Sequence, residues 1–180
     1  MNGMTYLWGN ISPYVLSYYH YYGGKDGTGQ HNIDFSDSVY VIPLMPAVLM
    51  VMNPLGAYLL TKGANPRMMV FIGASIMVSA LYAITLTRTF EELLVIWAIK
   101  LVGAGFCYFA PLMTGWEWWE GREGIVTGVV LGAFGFSSFI FSFMASHIIN
   151  PKNEQPMHLP DGHMIYSPEI AARVSKALLF

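Results

Sequence analysis

The chain has 180 residues, of which 54% are hydrophobic and only 11% are charged, and its formal net charge is −2. Soluble domains carry about a quarter charged residues, so this composition indicates a membrane protein, and the lack of a basic excess argues against nucleic acid as a partner. The single cysteine, Cys107, lies in an apolar run and excludes a disulfide framework or a cysteine-rich metal site. We expect an all-α protein that crosses a bilayer several times.

Five apolar segments separate the charged residues along the chain. About 20 residues suffice to cross a hydrocarbon core of about 30 Å, and helices satisfy every backbone polar group there, whereas a membrane β-barrel would need alternating segments. The predicted transmembrane helices cover about 4–22, 38–61, 68–87, 93–116 and 124–149. The first is short and rich in tyrosine, but it lacks the basic residues of a signal peptide, so we expect it to be retained as a span.

The last segment, 150–180, is polar and contains several prolines. We expect a polar loop there, followed by the start of a further helix. The sequence Ser167-Pro168-Glu169 is typical of such a start, with a cap, a proline at the first helical position and an acid in the first turn. Ile170, Val174 and Leu178 would share one face of that helix.

Basic residues in the short loops predict the orientation of the chain. Their number is equal on the two sides, with Lys62, Arg67 and Arg122 on one side and Lys25, Arg88 and Lys152 on the other. The compact pair Lys62 and Arg67 has no acid between its members, which favours the cytoplasmic side for this loop. We therefore expect a multi-pass membrane protein with a cytoplasmic N-terminus, and the sequence does not indicate which membrane holds it.

The loop between the second and third segments carries a recognisable pattern. Its glycines are seven residues apart, with basic residues between and after them: Gly56, Lys62, Gly63 and Arg67. This resembles the loop signature of the major facilitator superfamily of transporters, which implies a role for these residues in conformational change. Leu60 stands where that family has an aspartate.

Two further stretches resemble the oxalate/formate antiporter and monocarboxylate transporter branch of that superfamily. One runs from Gly103 through Pro111 and the tryptophans near residue 118 to Gly124, and the other is the first segment from Gly9 to Tyr18. The resemblance implies a partial N-terminal six-helix half of a major facilitator fold, either a fragment or a truncated product. Its implied partners are the lipid bilayer, the missing C-terminal half and a small organic anion.

The function implied by the resemblance is secondary transport of mono- or dicarboxylates by alternating access, coupled to protons or to exchange. The alternative is a truncated, non-transporting membrane protein, or a half that needs a partner. A membrane enzyme is disfavoured because the sequence shows no nucleophile–base arrangement, phosphate loop, cofactor motif or metal-ligand spacing. We therefore expect no enzymatic activity, no cofactor and no metal.

Lys100 is the sharpest candidate for a functional residue. A lysine near the middle of a span costs about 2.5–3.5 kcal/mol on translocon scales, and intramembrane charges usually face a cavity or a partner. Lys100 could therefore bind the substrate anion or couple transport to protons. The alternative is that it lies eight residues beyond Glu92 and extends to the outer interface.

Asn10 and Tyr14 are four residues apart, as are Tyr14 and Tyr18, so the three share a face of the first helix. The resemblance implies that the first and fourth helices line a central cavity, which makes Asn10, Tyr14 and, more weakly, Tyr108 candidates for the substrate pathway. The alternative for the tyrosines near the helix end is an interfacial aromatic belt.

The glycines of the fifth segment are spaced by four residues, at Gly124, Gly128 and Gly132. Small residues at this spacing let two helices approach closely in a membrane. We expect these glycines to serve helix packing rather than binding, and Trp116, Trp118 and Trp119 to anchor the chain at an interface.

Overall fold

The computed structural model describes residues 8–24, 29, 33, 35–158 and 164–177. These residues are mostly helical, with one short pair of strands among those near the end of the chain. The elements are α1 (Trp8–Tyr22), a 3₁₀ helix (Phe35–Tyr40), α2 (Val41–Thr61), α3 (Pro66–Ile84), α4 (Phe90–Trp118), α5 (Glu123–Ile149), β1 (Met157–His158), β2 (Met164–Ile165) and α6 (Pro168–Ala177).

Four of the described helices are long and apolar enough to cross a membrane, namely Asp37–Thr61, Pro66–Ile84, Phe90–Trp118 and Glu123–Ile149. The expectation of an all-α membrane protein is confirmed. About five spans were expected, and the described part of the chain contains four helices that could cross a membrane. The described part of α1 has 15 residues, fewer than a span needs, and residues 4–7 of the predicted first segment lie outside the described residues.

Local sequence signals set the ends of the central helices. Asn65 begins α3 by accepting a hydrogen bond from the backbone N–H of Arg67 on its side-chain oxygen, at 2.9 Å. Thr89 and Glu92 form a capping box at the start of α4, in which each side chain accepts a hydrogen bond from the other's backbone N–H. Gly63 follows α2 with a φ of +88°, a conformation that favours glycine. The connections between α2, α3 and α4 are therefore short.

Helices α2, α3 and α4 interlock through glycine. A Cβ atom built at Gly73 would lie 2.7 Å from the carbonyl oxygen of Gly103, and one built at Gly105 would lie 2.6 Å from the Cβ atom of Met52. Such distances leave no room for a larger residue, so these glycines allow the helix backbones to approach closely. We call α2, α3 and α4 the three-helix unit.

A second group of elements packs beside the three-helix unit. Tyr14 of α1 stacks on Tyr166, with ring centres 4.4 Å apart, and the Ser17 hydroxyl accepts a hydrogen bond from the Tyr166 backbone N–H at 3.0 Å. Helix α6 buries Ile170 and Val174 against this group. Helix α5 is the least covered element, because only Val126 and Ile149 of its residues are buried.

Candidate functional site

Lys100 lies in the interior of the helix bundle. It follows the start of α4 by ten residues, which corresponds to about 15 Å along the helix axis. The side chain is 0% exposed, and its Nζ atom has no hydrogen-bond partner among the described residues. Nζ lies 3.9 Å from the ring centre of Trp97, one helical turn back along α4. In this structure Lys100 therefore does not reach the interface, which was the alternative interpretation of this residue.

The surroundings of Lys100 are apolar and tightly packed. Leu93 and Leu101 are buried on the same helix, and the ring of Trp97 lies 5.0 Å from the ring of Trp8 in α1. The indole N–H of Trp8 donates a hydrogen bond to the Ser38 carbonyl oxygen at 3.1 Å, which fixes that ring in place. Burying an amine without a hydrogen-bond partner is costly, and such residues within membrane proteins are functional candidates by default.

Lys100 is also the only fully buried residue with a charged side chain in the described ranges. The other buried polar residues there are neutral, namely Ser12, Ser17, Ser38, Thr87 and Asn150. A single buried cation can neutralise one negative charge. An ammonium group carries three hydrogens that can donate, and the described residues accept none of those of Lys100.

The polar residues predicted on α1 point away from Lys100. The Asn10 side-chain amide donates to the Ser142 hydroxyl in α5 at 2.5 Å, and Asn10 is exposed. Tyr14 is buried by its stacking on Tyr166. On α1 it is instead Trp8 that contacts Trp97, the residue beside the Lys100 amine. The structure does not bring Asn10 and Tyr14 into contact with Lys100, and their place on a substrate path stays a prediction.

The C-terminal segment covers the Tyr14 face of α1 through Tyr166. Burial raises the pKa of Tyr166 to about 12, and its hydrogen bond with Tyr14 acts in the same direction. The phenol therefore stays protonated at neutral pH. This contact makes α1, β2 and α6 a packed group.

Tyr108 lies on α4 eight residues beyond Lys100. Its ring centre is 5.5 Å from that of Phe134 in α5, and the side chain is half-buried. This contact joins α4 to α5. It does not by itself support a binding role for Tyr108.

The loop pattern between α2 and α3 lies far from Lys100, near the other end of α4. Gly56 packs on Phe109, at 3.3 Å for a Cβ atom built on the glycine, and Lys62 lies 5.6 Å above the ring of Tyr58. Arg67 is exposed and lines an open groove of about 650 Å³ together with Trp118 and Trp119. The groove begins about 15 Å along α4 from Lys100. The conformational role of this loop stays a prediction.

The glycines predicted to pack α5 face open space. Within the described part of the chain, nothing lies within 4 Å of a Cβ atom built at Gly124, Gly128 or Gly132. The close helix contacts form instead at Gly73, Gly103 and Gly105. The structure therefore shows no packing partner for Gly124, Gly128 or Gly132, and their role in helix packing stays a prediction.

Three buried features of the helix bundle are absent from the predictions made on the sequence. Trp97 was detectable, because it precedes Lys100 by three residues and must share its helix face. Asn53, whose side-chain oxygen is buried without a hydrogen-bond partner in the described residues, was detectable as a lone amide within an apolar run. Trp8 was not detectable from the sequence, because its contact with Trp97 joins residues that are far apart in the chain.

Comparison with known proteins identifies one informative relative. The chain is 26% identical over 187 aligned positions to apicoplast pyruvate carrier 1 of Toxoplasma gondii, and the match covers 88% of this chain. It covers 34% of the relative, so the chain spans about a third of the length of that protein. No family model matches the chain. No solved structure matches it.

These comparisons correct the family assignment made from the sequence. The relative is named as a pyruvate carrier and no family model matches, so the assignment to the major facilitator superfamily and its oxalate/formate branch, as a partial N-terminal half, is withdrawn. The expectations of an antiporter and of a fragment of that fold are withdrawn with it. The physical reason is that small residues and short basic loops between apolar helices are common to multi-pass membrane proteins in general. Leu60, which stands where that family has an aspartate, was the departure that signalled this.

Two coarser conclusions follow from the same findings. Four apolar helices together with a carrier as a relative identify the chain as an integral multi-pass membrane protein. The expectation that the chain is not an enzyme is confirmed by that relative, which is named as a carrier.

Proposed function

We propose that this protein transports small organic anions across a membrane and that Lys100 binds the carboxylate group of the substrate. The observation that carries the proposal is the fully buried amine of Lys100, which has no hydrogen-bond partner among the described residues. A buried cation in a membrane protein is most stable when an anion neutralises it. The relative that is named as a pyruvate carrier supports a carboxylate as that anion.

The charge balance of the interior favours a monocarboxylate over a dicarboxylate. Lys100 is the single buried charge among the residues whose burial the structure describes, and the side chain shown against its amine, Trp97, is apolar. One carboxylate would neutralise the amine. A second would be buried without a partner, at a cost of several kcal/mol. Pyruvate, which has one carboxylate and a small body, is the first substrate to test.

Transport would require the interior to open, because Lys100 is fully buried in this structure. Helix α1 contacts α4 and its preceding loop through the rings of Trp8 and Trp97, through the rings of Tyr19 and Phe90, and through the hydrogen bond between the hydroxyls of Tyr19 and Thr87. We propose that movement of α1 exposes Lys100. We further propose protons as the coupling ion, because the Lys100 amine can take up and release a proton. We also propose a cytoplasmic N-terminus, because the basic pair Lys62 and Arg67 favours the cytoplasmic side for its loop.

The test is uptake of labelled pyruvate by proteoliposomes that contain the purified protein. We expect uptake above that of protein-free vesicles, and we expect Lys100→Met to reduce it to background while the yield of folded protein is unchanged. Lys152→Met is the matched control, because it removes an exposed amine outside the interior and outside the loop between α2 and α3. Undiminished uptake in the Lys100→Met vesicles would contradict the proposal.

Competition by unlabelled acids tests the monocarboxylate preference in the same vesicles. Acetate and lactate should compete with labelled pyruvate, whereas succinate should compete at least about tenfold less well, because its second carboxylate has no buried partner. Equal competition by succinate would show that further cations reach the site.

A second candidate function is a membrane protein that transports only together with further polypeptide. The observation that favours it is that the chain spans about a third of the length of its relative. Vesicles that hold only these 180 residues distinguish the two candidates. Pyruvate flux above background supports unassisted transport, and binding without flux supports the second candidate.

A further inference from the structure

We infer that Trp97 is the positioning residue of the carboxylate site and that its ring holds the Lys100 amine in place when no substrate is bound. The inference rests on the proposed role of Lys100. The observation behind it is that Nζ lies 3.9 Å from the centre of the Trp97 ring and has no hydrogen-bond partner among the described residues. An indole face attracts a cation more strongly than any other aromatic side chain, and the attraction is largest where water is excluded.

The helix geometry makes this contact possible. Side chains in an α-helix lean toward its N-terminus, so Lys100 extends back along α4 onto the residue three positions earlier. A lysine side chain is long and flexible and would otherwise sample many positions. The contact with Trp97 therefore selects one position for the amine.

The position leaves the amine able to bind an anion. An ammonium group has three hydrogens, and a ring that lies against one side of it leaves hydrogens on the other side free to donate. A carboxylate oxygen can accept there while the amine stays above the ring. Trp97 thus lowers the entropic cost of ordering the Lys100 side chain when the substrate binds. It does so without using the amine hydrogens that would donate to the substrate.

The position of Trp97 is itself fixed by α1. Its ring packs on Trp8, and the Trp8 indole is tied to the Ser38 carbonyl oxygen. Trp8 contacts Trp97 but is not part of the contact with the amine. Trp118 is the matched control, because it has the same ring, lies on the same helix and is exposed, away from Lys100.

The experiment measures the KM and the maximal rate of pyruvate uptake for substitutions at Trp97. Trp97→Leu should raise the KM at least about tenfold, and Trp97→Phe should raise it about threefold, following the strength with which each side chain attracts a cation. Trp118→Phe should leave the KM unchanged. A residue that serves only to fill space would not give this graded order in KM.

Each outcome separates the inference from the proposed function. If Lys100→Met abolishes uptake while Trp97→Phe and Trp97→Leu keep the wild-type KM, the inference is overturned and the proposed function stands. If Lys100→Met transports normally, the proposed role of Lys100 fails, and the inference fails with it. Trp97→Phe keeps a ring in the core, so a wild-type KM in that variant alone overturns the inference even where Trp97→Leu does not fold.

Discussion

The glycines of the three-helix unit and the glycines of α5 have opposite surroundings. In the three-helix unit, Gly73 and Gly103 lie so close that a Cβ atom on either would clash with the other's backbone. In α5, Gly124 and Gly128 have the same small size and a regular spacing, yet no described atom lies near the position of a Cβ atom. The spacing of small residues therefore does not reveal which helix face is packed.

The difference extends to the polar residues of the interior. Lys100 lies on α4, which packs closely against α3 through Gly73 and Gly103. Toward α1, the same helix packs through side chains, and Trp8 and Val15 lie in one buried core cluster with Leu93 and Trp97. Exposure of the amine would therefore separate side chains of α1 and α4 and leave the glycine contact of α3 and α4 in place.

The largest expected effect is the loss of the glycine contact in the three-helix unit. Gly103→Leu should destabilise the protein by at least about 3 kcal/mol, because the added side chain must displace the backbone of α3. The yield of monodisperse protein and its thermal midpoint measure this. Gly128→Leu is the matched control, and a loss of stability as large as that of Gly103→Leu would contradict the difference between the two sets of glycines.

An intermediate effect is expected where α1 meets the loop before α4. Thr87→Val removes the hydroxyl that bonds to Tyr19 and should cost about 1 kcal/mol, since both groups are buried. Thr85→Val is the control, because the Thr85 hydroxyl bonds only to a carbonyl of its own helix, that of Tyr82. Thermal melting distinguishes the two. Equal thermal midpoints for Thr87→Val and Thr85→Val would show that the bond between Thr87 and Tyr19 does not stabilise the position of α1.

The smallest effect is expected between α1 and α5. Ser142→Ala removes the acceptor of the Asn10 amide at an exposed position and should cost less than about 1 kcal/mol. Ser137→Ala is the control, because the Ser137 hydroxyl bonds only to the Phe134 carbonyl oxygen in its own helix. A midpoint shift as large as that of Thr87→Val would show that α5 is held more firmly than its exposure indicates.

The sequence predicted the helices but not their contacts. Charged residues bound each apolar segment, because burying charge in a bilayer is costly, and this spacing alone is enough to place Lys100 inside a span. The contact between Trp8 and Trp97 depends on how distant helices pack, and periodicity along one helix does not contain that information. The packing role of the α5 glycines stays a prediction for the same reason, since a small residue is compatible with a packed face and with an open one.

The central claim is that Lys100 binds a carboxylate, and thermal unfolding of the purified protein with and without pyruvate tests it most directly. A ligand that binds only the folded state stabilises it, by about 2.7 kcal/mol at a concentration of 100 Kd. We predict that pyruvate raises the thermal midpoint of the wild-type protein and of Lys152→Met, and leaves that of Lys100→Met unchanged. An equal rise in Lys100→Met would contradict the account.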